Sequence, residues 1–299
     1  MRRRRDGEVA SSLSFVRLAV VAAIATAAGF PALAQKAQPA PDPQDHIRLV
    51  VNEGAAGNAD FTEILFRYEE FSQMAAKALG GPVVIISARN RDRLQENLKN
   101  HAYELLLSRP NDVPARAVRD FDYVPVASAK EPYRTLFIVQ KDSPLRTIAD
   151  VKGKTIVTPD LYSNMWRAAK AMLRDNNIDM LKENVRSMRD QAAIGWSVEN
   201  KMYDVGVVNS ASGVARNWEK NGGRVIAASR DQINMPLIAS PGLSPARVAR
   251  LRAAVLALDS TDSGRAILKK INLPAGFRET PREEFLAFLK WLGEETRPF

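Results

Sequence analysis

LFIVQKDSPLRTIADVKGKTIV, residues 136–157, carries two strand-like runs separated by a polar stretch. The first belongs to the apolar run RTLFIVQ (134–140), and the second is KTIV (154–157), short and partly β-branched. Past the second run the chain turns through Thr158, Pro159 and Asp160, and a helical pattern opens at Ser163 or Asn164. A strand, a small polar loop and the free N–H groups of a helix start are a common place to hold a ligand.

Upstream, strands and helices alternate. IRLVV (47–51) reads as a strand, and residues 60–79 as an amphipathic helix with Phe61, Ile64, Leu65, Tyr68, Phe71, Ala75, Ala78 and Leu79 on one face. Asp60 with Glu63 resembles a capping box, and Gly80-Gly81 ends the helix. PVVIIS (82–87) is a second strand, 91–99 a short helix and YELLLS (103–108) a third strand, the β-α-β-α-β order of a parallel sheet. Downstream the order repeats: KTIV, a helix over 163–175, a strand over 184–188, a helix over 190–200 and a strand over 203–210. Asn100 and Tyr103-Glu104-Leu105 overlay Asn200 and Tyr203-Asp204-Val205, and that register sets Arg109 on Asn209. This reads as an internal duplication of a three-strand unit. Two extended connections, 121–145 and 222–243, each with two strand-like runs, suggest a hinge crossed twice. Helices close the chain over 244–258 (Ser244 before Pro245), 261–271 and 280–292, where Thr280 and Glu283 form a capping box with Pro281 at the first helical position.

The N-terminus is a basic start, MRRRRDGEVASSLSFVR, then the apolar LAVVAAIATAAGF, then small residues at Ala32 and Ala34. That is the pattern of a secretory signal peptide over 1–34, cleaved after Ala34. Pro- and Gln-rich residues 35–45 read as a disordered tether. The leader's five Arg against Asp6 and Glu8 account for three of the nine net charges, so cleavage leaves +6. There is no cysteine and only His46 and His101, which excludes disulfides, thiolate sites, a Cys nucleophile and a His-rich metal site. No basic tract with interleaved aromatics points to nucleic acid. No Ser/His/Asp set, P-loop or H-E-x-x-H is present, so neither catalytic residues nor a cofactor is expected.

The 136–157 stretch resembles the crossover of type II periplasmic substrate-binding proteins, where an apolar strand meets a KDSP-like turn and a DLKGK-like segment enters the next strand. DQAAIGWSVENKMYDVGVVNS (190–210) is similar to their second-lobe helix and strand. ASPGLSPARVARLRAAVLALDSTDSGRAIL (239–268) resembles the C-terminal run of the phosphate/phosphonate-binding subgroup. The resemblance spans 46–292. It implies an α/β fold of two Rossmann-like lobes joined by a two-stranded hinge, with lobe 1 over 46–130 and 224–299 and lobe 2 over 131–223. It further implies a monomer that traps a small polar or anionic solute between the lobes and presents it to an ABC permease in the inner membrane. A second reading keeps the clamp but makes it a periplasmic sensor, or an accessory protein of an exported redox system.

Ligands of open α/β sheets sit beyond the carboxyl ends of parallel strands. That selects the loops 52–60, 108–112, 158–164 and 209–213. In the third, the hydroxyls of Thr158 and Ser163 and the amide of Asn164 could wrap an oxyanion, while plain N-capping by Ser163 is the alternative. Resembling phosphonate binders carry a Ser/Thr/Gly-rich turn there; this chain has no glycine and has Leu161, Tyr162, Met165 and Trp166, bulk that reshapes the pocket. Arg109, directly after a strand, suits a bidentate carboxylate or phosphonate contact, or is a surface arginine. Asn209 either meets ligand or bonds its own turn, Tyr133 lines the cleft or packs beneath the crossover, and Asn58 precedes the first long helix within reach of a ligand.

Overall fold

The computed structural model describes residues 46–54, 60–88, 90–161 and 163–296. The signal peptide, the tether, Asn58 and Tyr162 lie outside the described residues. The first lobe opens with β1 (Ile47–Asn52), α1 (Phe61–Leu79), β2 (Val83–Ser87), α2 (Arg91–Lys99), β3 (Leu105–Ser108) and α3 (Asp112–Asp120). β4 (Val124–Tyr133) leads to β5 (Thr135–Val139) in the second lobe. There β6 (Thr155–Thr158), α4 (Asn164–Arg174), β7 (Asn184–Ser187), α5 (Gln191–Glu199), β8 (Val205–Asn209), α6 (Gly213–Trp218) and β9 (Arg224–Ala228) follow. β10 (Gln232–Ala239), α7 (Pro245–Leu256), α8 (Asp262–Lys270), β11 (Phe277–Arg278) and α9 (Arg282–Leu292) complete the chain.

The two sheets run β11-β4-β10-β3-β1-β2 and β7-β6-β8-β5-β9. β1 and β6 hold equivalent places, each between two parallel neighbours. β10 lies antiparallel beside β3 as β5 does beside β8. The duplication is therefore visible in topology, and in detail. Glu104 accepts from the backbone N–H of Arg48 at 2.7 Å, and Asp204 accepts from that of Thr155 at 2.8 Å. Each matched acid ties the start of its lobe's third parallel strand to the central one. The residues after Asn100 and Asn200, His101 and Lys201, both turn left-handed with φ of 49° and 59°.

Leu49 and Val51 face one layer of helices and Val50 the other, so β1 is buried on both faces. That is why its sequence reads as an unbroken apolar run. Tyr68 and Phe71 of α1 pack on the first face with Leu237 and Phe277; Val113, Phe285 and Leu289 cover the second.

Four local expectations differ from the structure. Residues 112–120 form α3, which the sequence pattern hid, because Pro114 interrupts it; a proline in the first turn lacks only an N–H that has no helical partner. α6 is only six residues and carries too little periodicity to read. Thr280 does not cap α9: Pro281 is the cap position, and the Thr280 hydroxyl is buried against that of Ser128. β9 pairs with β5, so the return crossing lies at 229–232 and not at 224. The outward crossing is Arg134, between β4 and β5. The straps are bonded to each other through Ser229 N to Thr135 O (2.8 Å) and Thr135 N to Ser229 Oγ (3.0 Å).

A cationic cleft between two lobes

The carboxyl ends of β1, β3, β6 and β8 open onto one continuous concavity of about 2800 Å³, lined from both lobes. Arg109, Tyr133, Ser163, Asn164 and Asn209 all line it.

On the first lobe, β3 ends at Ser108 and the Arg109 N–H donates to Asn52 O at 2.7 Å, which fixes the loop to the end of β1. Gly54 takes φ of +67°, and a Cβ there would meet Pro110 at 3.0 Å, so this close pair of loops needs a glycine. Glu53 is buried, ion-paired to Arg67 at 2.6 Å and accepting from the Tyr68 hydroxyl at 2.7 Å. Burial and the Glu53 charge raise the Tyr68 phenol far above its ordinary value, with Arg109 opposing. Tyr133, wholly buried, is raised by burial and by Asp112, against Arg109 and the Asn111 amide. Arg109 thus lies within electrostatic reach of two neutral phenols. Among the described residues its guanidinium has no ion-pair partner.

On the second lobe, the Ser163 side chain accepts from Trp166 N at 3.1 Å, so its capping reading is realised at the edge of the cleft. Asn164, the first residue of α4, is buried and donates to Gln232 Oε1 at 3.4 Å. Asn209 Oδ1 accepts from Ala211 N at 2.7 Å, the self-bonded turn. Thr158 departs from expectation: it is fully buried, its hydroxyl donates to Pro159 O at 2.9 Å, and it does not line the cleft. Alternation along β6 turns its side chain into the lobe.

Sequence reasoning missed a charge network at the junction. Asp112 of α3 pairs with Arg91 at 2.7 Å and reaches Arg167 of α4 at 3.6 Å. Glu294, just past α9, pairs with both Arg116 of α3 and Arg167. Burial lowers the Arg116 pKa, while Glu294 and Asp112 hold the charge in place. No spacing rule finds these partners; Arg116 and Glu294 are 178 residues apart.

Two lobes, each built on a mixed sheet, two crossings and a cleft rich in arginine define a class, the two-lobed solute-binding clamp of type II periplasmic proteins. Within that class the chain belongs to the family of periplasmic substrate-binding proteins of phosphonate ABC transporters, whose profile matches residues 54–285. XAC2383 from Xanthomonas citri, solved with ATP, superposes with a TM-score of 0.68 at 14% identity over 84% of this chain and 98% of that one. PhnD1 from Prochlorococcus marinus, solved with methylphosphonate, gives 0.62 at 14% identity over 84% and 99%. A binding component of a phosphonate ABC transporter from Pseudomonas aeruginosa gives 0.61 at 17% identity over 82% and 85%. At these identities the likeness establishes the fold. No curated protein matches the chain in sequence. Membership makes the protein a periplasmic solute-binding component with a permease partner, not an enzyme.

Proposed function

We propose that the protein captures a small oxyanion, of the phosphonate, phosphate or carboxylate class, in the interlobe cleft, with Arg109 as the charge anchor. After removal of the leader behind Ala34 it works as a monomer that hands its cargo to the permease. The observation that carries this reading is the Arg109 guanidinium, cleft-lining and without an ion-pair partner among the described residues. A planar fork of donors at the end of a parallel strand suits two parallel bonds to an oxyanion. The start of α4, past the Ser163 cap, supplies backbone donors from the opposite lobe through first-turn N–H groups that have no helical partner. An anion bridging the two favours the closed clamp over the open one by its differential affinity. The relatives solved with methylphosphonate and ATP support an oxyanion-binding clamp.

The test is calorimetric titration with methylphosphonate, phosphate and acetate. Binding by at least one is expected, and Arg109→Ala is expected to weaken it about 10- to 100-fold, the range for a charge-assisted contact. Unchanged affinity in Arg109→Ala overturns the anchor, and no binding of any anion overturns the ligand class.

A further inference from the structure

Two asparagines on the cleft carry an oxygen with no partner. Asn164 and Asn234 both line it, each is 7% exposed, and the Oδ1 of each has no hydrogen-bond partner among the described residues. Their orientations are set by the surrounding bonds. Asn234 Nδ2 donates to the Glu131 carbonyl at 2.8 Å, and a carbonyl can only accept, so the side-chain oxygen is the atom left over. For Asn164 the polarity is relayed through the hinge. The Ser229 hydroxyl donates to Arg230 O at 2.8 Å, and its oxygen accepts from Thr135 N and from Gln232 Nε2 at 2.9 Å. Gln232 Nε2 also donates to Thr135 Oγ1 at 3.1 Å. Gln232 Oε1 is then the acceptor for Asn164 Nδ2, and Asn164 Oδ1 is left over.

Buried acceptors are satisfied in nearly all native proteins, and leaving one bare is costly. Both oxygens are shielded from bulk water in this conformation. They stand on elements of different lobes, α4 and the β10 strap, so the lobe movement that admits a ligand also gives it access to them. What they lack is a donor. The buried carboxylate on the cleft lining, Glu53, is committed to Arg67 and Tyr68. Asp112 lies behind that lining and pairs through Oδ2 with Arg91 and Arg167, while its Oδ1 has no hydrogen-bond partner among the described residues. Asp160 is turned toward Arg189 at 3.7 Å, and Glu131 is exposed, its charge in water. The hinge side of the cleft therefore offers neutral acceptors.

Resting on the oxyanion reading above, we propose that Asn164 and Asn234 form an acceptor subsite selecting an oxyanion that also carries a neutral hydroxyl or amide donor. A hydroxyalkyl phosphonate or a hydroxy acid has this chemistry. A bare alkyl phosphonate leaves both oxygens unpaired, and an ammonium brings a charge that no unpaired buried carboxylate of the cleft lining meets.

The test is titration of the full chain with methylphosphonate, hydroxymethylphosphonate and aminomethylphosphonate. Hydroxymethylphosphonate is expected to bind about tenfold more tightly than either of the others. Asn234→Leu is expected to remove that preference, read as the ratio of the hydroxymethylphosphonate and methylphosphonate affinities of the variant itself. Asn164→Asp is expected to shift preference to the amino compound. Equal affinity of the wild-type protein for the hydroxymethyl and methyl compounds, or a wild-type preference for the amino compound, overturns the subsite and leaves the oxyanion reading standing. Binding of none of the three overturns the subsite, and if phosphate and acetate also fail to bind the oxyanion reading falls with it. The wild-type comparison needs no variant to fold.

Discussion

Tyr68, Tyr123 and Tyr133 are three of the chain's six tyrosines, and burial raises the phenol pKa of each. Carboxylates add to the effect: Glu53 beside Tyr68, Glu104 near Tyr123 and Asp112 near Tyr133. A phenolate at any of these places would face a second negative charge in a dry setting. The folded protein therefore keeps three protons that the unfolded chain releases at about pH 10. The stability this linkage supplies is complete below about pH 10 and falls as pH rises above it, because the folded state then binds more protons than the unfolded one. Alkaline titration followed in parallel by phenolate absorbance and circular dichroism is expected to show these three tyrosines ionising together with unfolding. Their smooth ionisation near pH 10 in a protein that keeps its native dichroism would contradict the packing described for them.

At the scale of elements, one cap separates a structural from a ligand role. The Ser163 side chain accepts from Trp166 N at the start of α4, so Ser163→Ala removes a cap. An unfolding free energy lower by about 1 kcal/mol is expected, measured by denaturant titration. Anion affinity is expected to stay within twofold; a tenfold loss would show that the hydroxyl also donates to ligand. The elements that were legible in the sequence share a physical signature. β1, β3, β6 and β8 are buried on both faces and read as apolar runs, and α1 and α7 carry their caps at Asp60 and Ser244. Illegible pieces lack that signature. α3 opens with a proline in its first turn, and α6 ends after six residues. Thr280 shows the opposite failure, a capping pattern overridden by a tertiary bond to Ser128. For the cleft, strand ends located Arg109 and Asn209, while Thr158 sat one alternation out of place.

At the scale of the molecule, the end of the chain joins the lobes, alongside the two straps and the Asp112–Arg167 contact. α9 packs Phe285, Phe288, Leu289 and Leu292 into one cluster with Val113 and Ala117 of α3 and Ala168 and Ala171 of α4. Glu294 follows directly and pairs with an arginine from each lobe, Arg116 and Arg167. The carboxylate is buried between two buried guanidinium groups, so its removal leaves like charges facing each other with too little compensation. Glu294→Gln is therefore expected to cost about 3 kcal/mol of stability, the lower end for breaking a buried pair. It is also expected to shift the unliganded protein toward more separated lobes, read as a larger radius of gyration in small-angle scattering. Pairing the change with Arg167→Met tests the cause: with one of the two cations gone, the double variant is expected to lose less than the sum of the single losses. Strict additivity would mean that Arg167 and Glu294 do not act on each other. An unchanged radius in Glu294→Gln would mean that the Glu294 pairs do not set the spacing of the lobes.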